Sequence, residues 1–238
     1  MPSQPPIRRS NPPQKSNYTQ YKEELRSDFF NSCAYCGIME SESAGVGFSI
    51  DHYIPKETPE GKPLENTYLN LLLSCGDCNS HKGKYLASTT QKNLGLVIIR
   101  PDEMAPSDHL MLDETDPCGL ASKTKTGEFN IAKLELNRPG LKKIRAIRHR
   151  CFQANEIIEQ GIKALSSVAL DNVEPAQRAR LLKIRHDILK IRSGFDGDID
   201  KLISDYARSP LRLPDPEKKE RTKARMKLLK ELGDDGAG

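Results

Sequence analysis

The 238-residue chain is long enough for one sizeable domain or two small ones, and its 36% hydrophobic residues, 5% aromatics and mean hydropathy of −0.63 fit a soluble globular protein. The longest apolar run, near Leu94 to Ile99, is far short of the roughly 20 residues a bilayer span requires, and the Pro-rich start lacks the apolar core of a secretory signal, so a cytoplasmic, membrane-free protein is expected. A net charge of +4 and a pI near 8.6 permit a polyanionic partner without requiring one.

Residues 1–16 (MPSQPPIRRSNPPQKS) are Pro-rich and polar and predict a flexible arm that adds nothing to the core. Tyr18, Tyr21, Leu25 and Phe29 recur at helical spacing, so a helix is expected over 18–31, delivering the chain to Cys33. Val46, Phe48 and Ile50 alternate with polar or small residues at the two-residue period of a half-buried strand, which should end near Pro55. Residues 57–65 read as turn, and a short helix is expected over 78–86.

Between 90 and 137 the strand-like pieces are Gly95–Ile99, Leu110–Leu112 and Phe129–Leu136. After Pro139 the pattern turns helical. Leu141, Ile144, Cys151, Ile158, Ile162 and Leu165 form one apolar stripe, and Leu181, Ile184, Ile188 and Ile191 form another, which predicts a helical hairpin. Ile199 to Tyr206 suggest a third short helix, and Pro214 precedes a charged last one. The runs Leu141–Arg150 and Lys218–Lys230 are basic; such runs are more often solvated helix faces than binding sites, so they only support a polyanionic partner.

Six cysteines without an export signal point to metal or free thiols instead of disulfides. Cys33-Ala-Tyr-Cys36 and Cys75-Gly-Asp-Cys78 each have the spacing that lets one backbone turn present two thiolates to a tetrahedral Zn²⁺. The bland alternatives are a pair of redox-active motifs or a chance spacing. Four thiolates leave no open position for substrate, which makes such a site structural. Cys118 and Cys151 have no partner at metal spacing and read as ordinary thiols.

The segment between the pairs carries further polar residues: Asp51-His52 closes the expected strand, Asn70 follows Tyr68-Leu69, and Asn79 follows Cys78. Over residues 33 to about 84 the sequence resembles the HNH endonuclease family, whose pattern is two Cys knuckles around D-H, then N, then H or N, then a basic residue. The matching residues are C33-A-Y-C36, D51-H52-Y-I-P55-K56, N70-L71 and C75-G-D-C78-N79-S-H-K82-G83. The resemblance implies a ββα-metal nuclease acting on DNA. His52 would be the general base, because a neutral imidazole takes a proton from water near pH 7. Asp51 and the Asn79 carboxamide oxygen would hold Mg²⁺ or Mn²⁺, hard cations that prefer oxygen. Asn70 would orient His52 through its backbone, and Lys56 and Lys82 are candidate phosphate contacts. Asn79 stands where the family name has its last His; His81 is a reserve ligand, and a His there would widen the metal choice toward Zn²⁺, Ni²⁺ or Co²⁺. Neighbours on a regular strand face opposite ways, so Asp51 and His52 converge only if the strand becomes irregular.

Thr126 to Leu141 (TGEFNIAKLELNRPGL) resembles the region after the nuclease core in the HNH component of Septu and retron-associated anti-phage systems. That resemblance implies an ABC-type ATPase partner, with the helical part docking the nuclease. The expected architecture is α+β: a flexible arm (1–16), an HNH nuclease domain with a Cys₄ zinc site (17–90), a mixed connector (91–137), a helical region (138–210) and a charged helix and tail (211–238). Alternatives are a zinc-stabilised nucleic-acid-binding module or an assembly subunit without cleavage activity; homo-oligomerisation stays open.

Overall fold

The computed structural model describes residues 6–43, 47–116, 118–167, 173–190 and 218–233. A 3₁₀ turn at Tyr18–Tyr21, capped by the Asn17 side chain accepting from the Thr19 amide, leads into α1 (Lys22–Asp28). Tyr21, Leu25 and Phe29 recur at four-residue spacing and all three are buried, which is what makes this stretch helical and fixes its inward face. Phe30 and Asn31, both at positive φ, turn the chain out of the helix toward Cys33.

Strand β1 (Ser49–His52) pairs antiparallel with β2 (Leu71–Ser74) in the register Ser49↔Ser74 through His52↔Leu71, and α2 (Gly76–Lys82) packs on β1. All four residues of β2 are buried, with α1 packed on it, so an unbroken Leu-Leu-Leu run suits a strand covered on both faces. Val46, the expected strand start, lies outside the described residues. Helix α2 ends before residue 86 because Gly83 adopts φ 55°, the left-handed turn that closes helices.

Beyond the short α3 (Thr89–Asn93), two expectations fail. Residues 96–100 join no sheet, because side chains take up their backbone groups: the Asn130 side chain accepts from the Ile99 amide and donates to Val97 O, while Tyr53 and Tyr85 donate to Ile98 O and Leu96 O. Most of 129–136 is helix: α4 (Lys125–Lys133) starts at Thr124, whose hydroxyl accepts from the Gly127 amide, and buries Phe129, Asn130 and Ala132. Spacing of three and four beats the alternation read from the sequence. Gly127 permits a close approach, since a Cβ there would lie 2.0 Å from His109 O. Strand β3 (Leu110–Leu112) stands as expected and pairs with β4 (Leu120–Ser122), which the sequence reading missed.

Helix α5 (Pro139–Ser167) bears out the helical pattern after Pro139, and its burial falls from Leu141, buried, to half-buried Ile144, Cys151, Ile158 and Ile162. Residues 175–190 form α6; of the stripe expected there, Leu181 and Ile188 are half-buried, Ile184 is exposed, and Ile191 lies outside the described residues. The expected helix at 199–206 and the break at Pro214 lie outside the described residues. Helix α7 (Lys218–Leu232) buries Leu229 and Leu232, and Arg225 donates to Ala132 O and Lys133 O at the C-terminal end of α4. Among the described residues, no helix is long and apolar enough to cross a membrane.

One hydrophobic cluster runs from Tyr21 through Leu71–Leu73 to Leu96, Phe129, Leu136 and Leu141, so the nuclease-like segment and the connector share a core. Residues 6–16 are tied to this core at Ile7 and Arg9, against the expectation of a flexible arm. Ile7 packs on the cluster and its amide donates to Pro101 O; Arg9, its side chain only 7% exposed, donates to Asp28, Asp102 and Tyr68 O and lies over the Phe29 and Tyr68 rings. Prolines lower the entropy cost of fixing such a segment, and two buried carboxylates offset the buried guanidinium.

Arg9→Ala should cost about 1.5–3 kcal/mol in urea unfolding and expose residues 6–16 to proteolysis. Burial opposes ionisation of Asp102, but Arg100 and Arg9 overcome it and hold its pKa below the ordinary value. Its contribution is therefore complete above about pH 4 and fades as pH falls through the folded pKa, and Arg9→Ala should flatten that acid limb.

Candidate active site and metal centre

Cys33 and Cys36 lie in the turn after α1, closed by Gly37 at φ 69°; Cys75 follows β2 as the N-cap residue of α2, and Cys78 sits in the first turn of that helix. The hydrogen bond from the Ala34 amide to Leu73 O ties the first turn to β2. The four sulfurs lie within 4.8 Å of one another, and Cys36 and Cys75 are 3.8 Å apart. A tetrahedral Zn²⁺ with bonds of about 2.3 Å sets its sulfurs about 3.8 Å apart, so the donor set and its spacing fit zinc. Cys118 and Cys151 are not part of the cluster.

The ββα unit sorts the remaining candidates onto two faces of β1. On the face toward α2, Ser49 accepts from the Asn79 carboxamide at 3.0 Å, and Asp51 meets Lys82, one helical turn on. Lys82 Nζ lies 3.2 Å from both Asp51 oxygens and donates to His52 O at 2.8 Å, and the Tyr35 hydroxyl donates to Asp51 from the cysteine turn. Burial pushes the Asp51 carboxyl above its ordinary range and the Lys82 ammonium below its own, and each group opposes the other's shift. With its side chain 1% exposed, Lys82 is a buried counter-ion and not the phosphate contact expected of it.

His52 faces the other way. One ring nitrogen, Nε2, lies 2.9 Å from Glu65 O, and the Tyr18 ring packs edge-on at 4.7 Å. A carbonyl oxygen only accepts, so Nε2 carries the proton and Nδ1 keeps the lone pair. The loop that brings Glu65 here needs Gly61, where a Cβ would lie 2.0 Å from Pro55 O. Asn70 braces the chain just past His52: its carboxamide accepts from the Ile54 amide and donates to Ile54 O, and its carbonyl accepts from the Tyr53 amide. Lys56 lies over the Tyr18 ring and pairs with Glu65 at 3.2 Å.

The strand stays regular through His52, so the structure brings Asp51, Asn79 and Lys82 to one face and His52 to the other. His81 turns away from all of them, with Nδ1 3.2 Å from Leu134 O and Nε2 3.8 Å from Glu135; burial lowers its pKa. Sequence reasoning missed Tyr35, Tyr18, the Glu65 carbonyl and Arg138, whose guanidinium approaches the cysteine sulfurs. Tyr35 lies inside the first Cys pair, a position that could have drawn attention; a backbone carbonyl leaves no mark in a sequence.

Residues 33–85 match the family model described as HNH endonuclease. These residues are an HNH domain. The chain is also 27% identical, over 216 residues, to the Septu protein PtuB of Bacillus mycoides (strain KBAB4). That alignment takes in 79% of this chain and 65% of the relative, so the chain spans about two thirds of the relative's length. No solved structure matches.

Lys82→Met should destabilise the HNH domain by about 3–5 kcal/mol, the cost of leaving a buried carboxylate unpaired, and adding Asp51→Asn should recover part of it; a loss near zero in urea unfolding would mean the pair is solvated. Removing zinc with a strong chelator, or Cys78→Ser, should abolish cooperative unfolding of the domain, read by circular dichroism.

Proposed function

We propose that the chain is a metal-dependent endonuclease that hydrolyses DNA phosphodiester bonds, with His52 as general base. The observation that carries this reading is the imidazole held to Glu65 O inside an HNH domain. The carbonyl fixes the ring, keeps the proton on Nε2 and stabilises positive charge on the ring as Nδ1 takes a proton from water. Tyr18 limits the ring's freedom from one side, and Asn70 fixes the backbone that follows it.

Asp51 and Asn79 would hold Mg²⁺ or Mn²⁺. Their donors are oxygens, as hard cations require, and a carboxylate has about four lone-pair sites, which Tyr35 and Lys82 do not exhaust. When bound, such a cation supplies positive charge to the phosphate and to the departing 3′ oxygen. Lys56, a third exposed beside Tyr18, is the basic group best placed to meet DNA near His52. Likeness to a Septu protein supports a role in anti-phage defence; a place in the cytoplasm, as the nuclease subunit of a complex with an ABC-type ATPase, is part of the same proposal. A second reading, a zinc-stabilised binding or assembly subunit without cleavage, draws on the separation of Asp51 and His52 onto two faces of β1.

Supercoiled plasmid with Mg²⁺ or Mn²⁺ distinguishes the readings. Nicking or linearisation by the wild type should fall about 10²- to 10⁴-fold in His52→Ala while the variant still folds, read by circular dichroism. DNA retention without cutting, with the ATPase partner both present and absent, would favour the second reading.

A further inference from the structure

We infer that Arg138 is the counter-charge of the Cys₄ metal site, a positioning residue outside the HNH domain that ties retention of zinc to the seating of α5. Four thiolates on Zn²⁺ carry two net negative charges, and Cys33, Cys75 and Cys78 are buried. Burying charge without compensation costs several kcal/mol, so the cluster calls for a cation or for N–H donors.

Arg138 supplies both. Its two terminal nitrogens lie 3.7 Å from the Cys75 sulfur, 3.8 Å from that of Cys78 and 4.0 Å from that of Cys36, at the reach of N–H···S hydrogen bonds. The third, Nε, meets Asp77 at 3.2 Å, so one of the two residues between the second pair of cysteines orients the fork. One of those terminal nitrogens, Nη1, also donates to Leu134 O at 3.2 Å and to Glu135 O at 3.4 Å, just past the end of α4. With its side chain 10% exposed, the group is wedged between the thiolates and a helix end and is not a solvated surface charge.

The placement couples two segments. Arg138 immediately precedes α5, and its carbonyl accepts from the Lys142 amide in the first turn of that helix. Whatever seats the start of α5 also seats the guanidinium on the sulfurs, and linkage requires the reverse: metal in the site favours the seated α5.

Transfer of zinc from the purified full chain to a chromogenic chelator tests this. Arg138→Gln should weaken zinc retention about 10- to 100-fold, as loss of a ligand-supporting hydrogen bond does elsewhere. Arg138→Lys, which keeps charge but loses the planar fork, should fall between. Arg148→Gln is the control: Arg148 also joins α5 to the cysteine turn, through Glu42 and Gly37 O, without touching a thiolate, so its zinc should be retained as in the wild type. In Co²⁺-loaded protein, the sulfur-to-metal charge-transfer band should shift in Arg138→Gln and stay in place in Arg148→Gln. Equal zinc loss in the Gln variants at 138 and 148 would reduce Arg138 to a docking contact and overturn the inference, as would a Lys variant no better than Gln or an unmoved band.

Discussion

Four sulfurs held within 4.8 Å of one another are the constraint on which the rest depends. The 38 residues between Cys36 and Cys75 contain β1, the Glu65 loop and β2, so closing the cysteine cluster fixes both ends of the segment that bears Asp51, His52 and Asn70. The two-stranded sheet is too small to be stable alone. Its support comes from α1 on β2, from α2 on β1, and from the metal that the cysteines fit. A tetrathiolate centre would add its binding energy to the apolar cluster that this unit shares with the connector.

The second theme is the use of cations inside the protein. Arg9 fastens the N-terminal segment, Lys82 offsets Asp51, and Arg138 lies against the thiolates. The basic run over 141–150 follows the same habit: Lys142 pairs with Asp116, Arg145 donates to Cys118 O and Leu136 O, and Arg148 pairs with Glu42. Groups committed in this way contribute less to phosphate binding than their number in the sequence suggests, and the salt dependence of any DNA affinity falls on other lysines and arginines.

Legibility of the sequence followed the range of each interaction. The paired cysteines, Asp51-His52 and the helical spacing of Tyr21, Leu25 and Phe29 are local patterns and could be read directly. What could not be read depended on distant partners. Gly95–Ile99 looks like a strand, yet Asn130, some thirty residues on, takes up its hydrogen bonds; the Pro-rich start looks loose, yet Arg9 finds Asp28 and Asp102. Phe129–Leu136 was misread because alternation and helical spacing coincide over so short a run, and the Thr124 cap decides between them. At the candidate site the side chains were legible as types, whereas the Glu65 carbonyl against His52 and the Tyr35 and Lys82 contacts to Asp51 were not.

A regular strand raises one geometric question for the proposed reaction, since Asp51 and His52 point to opposite faces. A phosphate lying flat on either face would reach one group and not the other. β1 belongs to a two-stranded sheet, however, and among the described residues its outer edge has no partner strand. Side chains from both faces flank such an edge, and the chain leaves the pleat directly after His52, where Asn70 holds Ile54 by both its amide and its carbonyl. A phosphate approaching the edge at this end of β1 therefore has His52 on one side and the Asp51 and Asn79 face on the other. In the proposed reaction Asn70 would hold the chain where it leaves the strand, and so the opening by which a phosphate would reach this edge. On that proposal Asn70 would act on catalysis through the backbone at Ile54, not by a side-chain hydrogen bond to His52 or Asp51.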